Sequence, residues 1–338
     1  MSLRRSLKIQ TLAADLGLPS AKDPVGAILR FCENRTRSIL RGFSDCHTLT
    51  DLLAVTADSL GTQFAEVRSD EELDAVRMRY ARRGERVFAG LHNELSDSVY
   101  GITIRRTARK SWEQPYVSVI DCRGNKRRRS YFTKWHEVGH LLVLTDQMRL
   151  CFRRTHVEHD QKDPEEAMVD LIAGHVGFLP LIVRRHAKGV PSFGKFEGLR
   201  TRLCPEASRE ASIQGFAKAW PTPCLLIRAK LGLKRGEQRW LAQPSLGLGG
   251  EPEAVLRAVR ASPNDAARRS GLRIFPNMQV PDRSVIRRVF KERNPKPRKD
   301  VENLSMWQST GGKRLSQRKV LVQATSRHDG VDALVSPC

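Results

Sequence analysis

The chain has 338 residues, enough to bury a substantial core and to make two or three domains. With 40% hydrophobic, 28% charged and only 6% aromatic residues, it reads as a globular protein with some poorly packed segments, and no apolar run approaches the roughly 20 residues that cross a bilayer. Seven cysteines stand at 32, 46, 122, 151, 204, 224 and 338, an odd number without a C-x-x-C pair, which argues against a disulfide framework and a cysteine-based zinc site.

The formal net charge of +22 is lopsided. Residues 1–180 hold 28 basic and 24 acidic side chains, whereas residues 181–338 hold 31 and 13. A basic appendage on a near-neutral domain would attract nucleic acid or an acidic partner, although a solvated, arginine-rich surface gives the same count. The basic start Met1–Lys8 has no apolar core or cleavage site after it, so a cytoplasmic protein is expected.

In chain order, residues 24 to about 62 read as helical, with Val25, Ile28, Leu29 and Cys32 on one face and Gly61 as a C-cap. A second helix is expected over 71–82. Val99–Ile104 and Tyr116–Asp121 are short β-branched and aromatic runs that predict an antiparallel pair, the second ending in the turn signal Cys122-Arg123-Gly124-Asn125. Helices follow from Tyr131 to about Leu144 and from Pro164 to about Phe178, where Pro180 stops the second. Beyond 180, stretches 189–205 and 242–252 read as connectors, 206–241 and 253–272 as helical, and Lys291–Lys299 as a basic linker. Residues 206–241 have the helical content of a helix-turn-helix, with Gly215 or Pro221-Thr222-Pro223 as the break, although two prolines suit that turn poorly. The alternating Val320–Ala324 fits either a terminal basic hairpin or a disordered tail.

The chemistry is concentrated in His136-Glu137-Val138-Gly139-His140. On a helix, positions i and i+4 share a face, so both imidazoles can address one ion, with Glu137 beside them as base for a metal-activated water. A chain of this composition shows such a pattern by chance roughly once in a hundred, so its context matters. A catalytic zinc takes three protein ligands and leaves one position open. Glu166, 26 residues after His140 at the start of the next helix, is the leading third ligand; Glu165, His156 and His159 are the alternatives. Glu166 alone would also suit a helix N-terminus, where the macrodipole favours an acid. Asp170, one turn on, is spaced to accept a hydrogen bond from a ligating imidazole. His156 and His159 lie in a polar stretch and read either as solvated or as stabilisers of an oxyanion or leaving amine. One Zn2+ per chain is the expected cofactor, since two imidazoles and a carboxylate favour it.

The stretch Arg129-Ser130-Tyr131-Phe132-Thr133-Lys134-Trp135-His136-Glu137-Val138-Gly139-His140-Leu141-Leu142 resembles the active-site helix of the ImmA/IrrE metallopeptidase family, and Glu166–Ala173 with Leu179-Pro180 resembles its second motif. The resemblance covers roughly residues 50–182, with Val169 in place of the usual alanine and Trp135 in place of a small residue that could crowd the site. It implies an α+β fold: a zincin-like domain of helices and a small antiparallel or mixed sheet over 63–182, preceded by a helical region 1–62. A helical region 183–245 and a basic region 246–338, partly linker or disordered, are expected to follow. It also implies an intracellular endopeptidase that cleaves a helix-turn-helix repressor to release mobile-element or stress-response genes. The substrate would be held extended on an edge strand, for which Tyr116, Val117, Ser118, Val119 and Ile120 are the candidates, unless they form an ordinary inner strand. The competing reading is a DNA-binding regulator that keeps the zincin fold with little or no proteolysis, favoured by the basic second half. An effector protease with a host target, or another glutamate-ligated zincin family, would need an export route or a spanning segment that the sequence does not display.

Overall fold

Local capping decides where the first helices begin and end. After α1 (Leu7–Asp15), α2 (Pro24–Arg41) starts with proline in its first turn and the Asp23 side chain accepting from Gly26 N–H. Helix α3 (Leu49–Ser59) is closed at its start by a capping box between Thr48 and Asp51 and ends before Gly61, whose φ of +76° suits glycine. The helical character expected over 24 to about 62 is met by two helices, α2 and α3. The computed structural model describes residues 3–18, 21–143, 153–156, 163–234, 237, 253–293, 295–308, 312 and 314–338. The chain divides into two compact units, Met1–Ile182 with Leu199–Gly215, and Val183–Gly198 with Phe216–Cys338.

The first unit holds a four-stranded sheet in the order β1-β3-β2-β4, from β1 (Thr62–Val67), β2 (Val99–Arg105), β3 (Tyr116–Asp121) and β4 (Arg153–His156). Strand β1 runs parallel to β3, and β2 is antiparallel to both β3 and β4. The antiparallel pairing of 99–104 with 116–121 is as expected; β1 was not, and it joins residues 1–62 to the same compact unit instead of leaving them as a separate region. The expectation that Tyr116–Ile120 receives a substrate as an edge strand is corrected: β3 lies between β1 and β2, all six residues are buried, and both its edges are already hydrogen-bonded. Among the described residues, β4 and β1 are the edges.

Alternation along the strands sorts the two faces of this sheet. Val67, Ile102, Ile104, Val117 and Val119 form one apolar core with Leu73 and Tyr80 of α4 (Asp70–Ala81), and with Phe88 and Leu91, the latter opening α5 (Leu91–Glu94). The other face carries Thr62, Gly101, Thr103 and Ser118 toward α6 (Ser130–Leu142). Helix α6 also packs on α7 (Pro164–Val176), which is followed by α8 (Pro180–His186). By length and composition the 23 residues Pro164–His186 could cross a membrane, which corrects the reading that no stretch comes close. In the fold they are two helices separated at 177–179, and 56% of the apolar window is buried inside the protein, as in a core helix.

Helices α9 (Phe193–Leu203) and α10 (Arg209–Ala219) precede the second unit's sheet. That sheet has five strands, all antiparallel, in the order β6-β5-β9-β8-β7: β5 (Leu225–Gly232), β6 (Val255–Pro263), β7 (Arg298–Asn303), β8 (Lys319–Arg327) and β9 (Gly330–Pro337). Helices α11 (Asp265–Arg269) and α12 (Val285–Glu292) contribute Ala267, Val285, Ile286 and Val289 to its core. Several expectations are corrected here. In the described part of 206–241, α10 is followed by β5, so no helix-turn-helix stands there; 253–272 holds β6 and then the short helix α11; the described residues of 291–299 include the end of α12 and the start of β7; and 320–337 forms the β8–β9 hairpin. Short apolar runs such as Leu225-Leu226-Ile227 fit a buried strand or a helix segment equally well by period, and only the ladder decides between them. The protein is α+β, but its C-terminal region is built on a sheet.

Candidate metal centre

Two helix features bring the donors together. In α6, His136 and His140 are one turn apart and both are buried. In α7, Pro164 and the Asp163 side chain, which accepts from Glu165 N–H, fix the start of the helix and place Glu166 in its first turn. Gly139 lets the two helices approach: a Cβ there would stand 3.0 Å from Val169 Cγ1 and 3.6 Å from Ile172 Cγ2.

The outcome is a three-donor group of His136, His140 and Glu166 whose ligand atoms all lie within 4.8 Å of one another. His136 Nε2 is 3.1 Å from His140 Nε2 and 3.1 Å from Glu166 Oε2, and His140 Nε2 is 3.6 Å from Glu166 Oε1. Donors bound at about 2.0–2.2 Å in a tetrahedron stand about 3.3–3.6 Å from one another, and these separations, which use one Glu166 oxygen for each imidazole, are close to that. The chemistry of the set, two imidazoles and one carboxylate, fits equally well. A group of this kind could hold a metal ion; which ion is left to the proposal below.

The charges are arranged to match. Burial pulls the His136 imidazole toward the neutral form, but hydrogen bonds to Asp170 and Glu166 outweigh it and raise its pKa from 6.5 to about 9. Glu166 moves the opposite way: burial disfavours its charge, yet the hydrogen bonds with His136 and His140 hold it well below the usual carboxylate range. Asp170 Oδ1 sits 2.8 Å from His136 Nδ1, where it can orient the ring so that Nε2 points at the shared centre.

Glu137 is fully buried beside this group and accepts a 2.7 Å hydrogen bond at Oε2 from Thr103 Oγ1 of β2. Two residues earlier on the same face of β2, Gly101 leaves the space that the carboxylate fills: an added Cβ would lie 3.1 Å from Glu137 Oε1 and 2.7 Å from Thr133 Cγ2. Sequence reasoning missed both residues. The only signal was the period of two in Gly101-Ile102-Thr103, which places both on one face without saying what faces them.

The remaining expected residues are placed as follows. His156 closes β4 and pairs through its backbone with Val99, while its side chain and the whole of His159 lie outside the described residues. Glu165 neighbours Glu166 but is not one of the three donors. His175 lies 2.8 Å from Glu33, and His92 lies 2.9 Å from Asp74, both away from the donor group. Trp135 is fully buried against Gly177, where an added Cβ would come within 2.9 Å of its Cδ1. No protein-family model and no curated protein matches the chain.

Proposed function

We propose that the chain is a cytoplasmic zinc-dependent endopeptidase, similar in its site to the ImmA/IrrE metallopeptidases, that cleaves a protein substrate such as a helix-turn-helix repressor. The observation that carries this reading is the convergence of His136, His140 and Glu166, with ligand atoms all within 4.8 Å of one another, beside a buried glutamate, Glu137, directly adjacent in the sequence to His136. When bound, zinc would polarise the scissile carbonyl and lower the pKa of a water toward about 7. Glu137 would serve as the base, taking a proton from a water as its oxygen bonds to the scissile carbonyl carbon, and passing that proton to the amine nitrogen as the C–N bond breaks. Asp170 keeps His136 in the tautomer whose Nε2 faces the centre. An extended substrate would add to the sheet along β4, an edge strand among the described residues that neighbours β2, the strand of Thr103.

The test is a search for new peptide N-termini in a cell extract treated with the purified protein, alongside Glu137→Gln. Cleavages made by the wild type and absent with the variant support the reading; identical profiles overturn it. A second reading, a DNA-binding regulator with little proteolysis, is favoured by one surface. From α12 into β7, Lys291, Arg293, Lys296, Arg298 and Lys299 are all exposed, with Glu292 the one acid among residues 291–299. Under that reading Glu137→Gln changes nothing, and duplex DNA binds with a steep salt dependence.

A further inference from the structure

The face of the first sheet turned toward α6 carries three buried hydroxyls, one from each of three neighbouring strands. Thr62 Oγ1 of β1 is 2.9 Å from Ser118 Oγ of β3, and Ser118 Oγ is 2.7 Å from Thr103 Oγ1 of β2. Thr103 Oγ1 in turn is 2.7 Å from Glu137 Oε2. Thr62, Ser118, Thr103 and Glu137 are all buried, at 3% exposure or less.

We infer that Thr103 is a positioning residue for Glu137, the last member of a hydroxyl chain that starts at Thr62 and fixes the orientation of the carboxylate. The inference deepens the peptidase reading and takes the role of Glu137 from it. The Thr103 hydroxyl donates to Glu137 Oε2. Each hydroxyl has one proton, so Thr103 must then accept from Ser118, and Ser118 from Thr62. The polarity of the whole chain is set by its end at Glu137. Hydrogen bonds to a charged group are the stronger kind, and successive bonds polarise one another in a dry interior. Three hydroxyls that only satisfied each other could close among the strands. Here the chain leaves the sheet and ends on a helix side chain, at the place Gly101 keeps open for it. The register that brings Thr103 opposite Ser118 therefore also aims the carboxylate of Glu137.

The test uses the full-length protein loaded with cobalt(II) and acetohydroxamate as the probe, a chelator whose hydroxyl proton is taken by a carboxylate next to the metal. Cobalt affinity and probe affinity are read separately from the visible spectrum, for wild type, Thr103→Val, Thr103→Ser and Ser118→Ala. Cobalt affinity is expected to stay within about twofold of wild type in all three, because none touches a donor. Probe binding should fall about tenfold in Thr103→Val, recover in Thr103→Ser, and fall by a smaller factor in Ser118→Ala. Wild-type probe affinity in Thr103→Val overturns the inference, as does an equal loss in Thr103→Val and Thr103→Ser, which would mean lost packing. Wild-type behaviour of Ser118→Ala overturns the chain behind Thr103. Failure of the wild type to take up cobalt removes the inference and the peptidase reading together. Failure of the extract experiment with intact probe binding removes the peptidase reading alone.

Discussion

In the metal-free protein His136 is held protonated by Asp170 and Glu166, its pKa raised from 6.5 to about 9, and a metal must displace that proton to reach Nε2. The sign follows: below about pH 9 binding competes with the proton, so affinity falls as pH is lowered, and above it the competition is gone. Calorimetry of zinc binding at pH 7 in buffers of different ionisation enthalpy should show about one proton released per ion from this group. A binding enthalpy independent of the buffer would contradict it. At this scale the donors His136, His140 and Glu166 were legible because two sit in a five-residue pattern and the third opens the next apolar helix. Thr103 and Gly101 were not, because what they face is set by strand pairing.

At the scale of elements, Gly215 shows how a residue type can mislead. In sequence it reads as a break between two helices; in the fold it lies inside α10, and an added Cβ would stand 2.1 Å from Cγ of the Phe178 ring. The glycine makes room for a neighbour, and the helix continues through it. Two terms oppose one another in Gly215→Ala: better helix propensity is worth up to about 1 kcal/mol, while overpacking a buried contact costs about 1–3 kcal/mol. The contact falls on an aromatic ring with no flexible end to yield, so net destabilisation is expected. A lowered denaturation midpoint with an unchanged denaturant slope would show it, and a raised midpoint would contradict it. Strands were legible where β-branched residues bounded by turn signals stood alone, as in β2 and β3. They were missed where alanine and arginine diluted the pattern, as in β6, or where the strand followed directly on a helix end, as β1 does on α3 and Gly61.

For the whole molecule, charge asymmetry was legible from composition and the domain plan was not. The boundary expected near residue 182 is where the first segment of one unit ends, but residues 199–215 return to that unit, and a contact of this kind leaves no local trace in sequence. All three donors belong to the first unit. Zinc should therefore stabilise the unit that holds them, by about 2.7 kcal/mol at a free concentration a hundred times its Kd. Calorimetric unfolding should show the transition that includes this unit moving up when zinc is added; a thermogram that zinc leaves unchanged would contradict it.

The central claim is the three-donor zinc site, and metal content by mass spectrometry tests it most directly, on wild-type protein and on Glu166→Ala after equal exposure to zinc. The account predicts about one zinc per wild-type chain and a large loss in the variant, since two imidazoles alone leave the tetrahedron half built. A wild-type chain that takes up no zinc, or a variant that retains it in full, would contradict it.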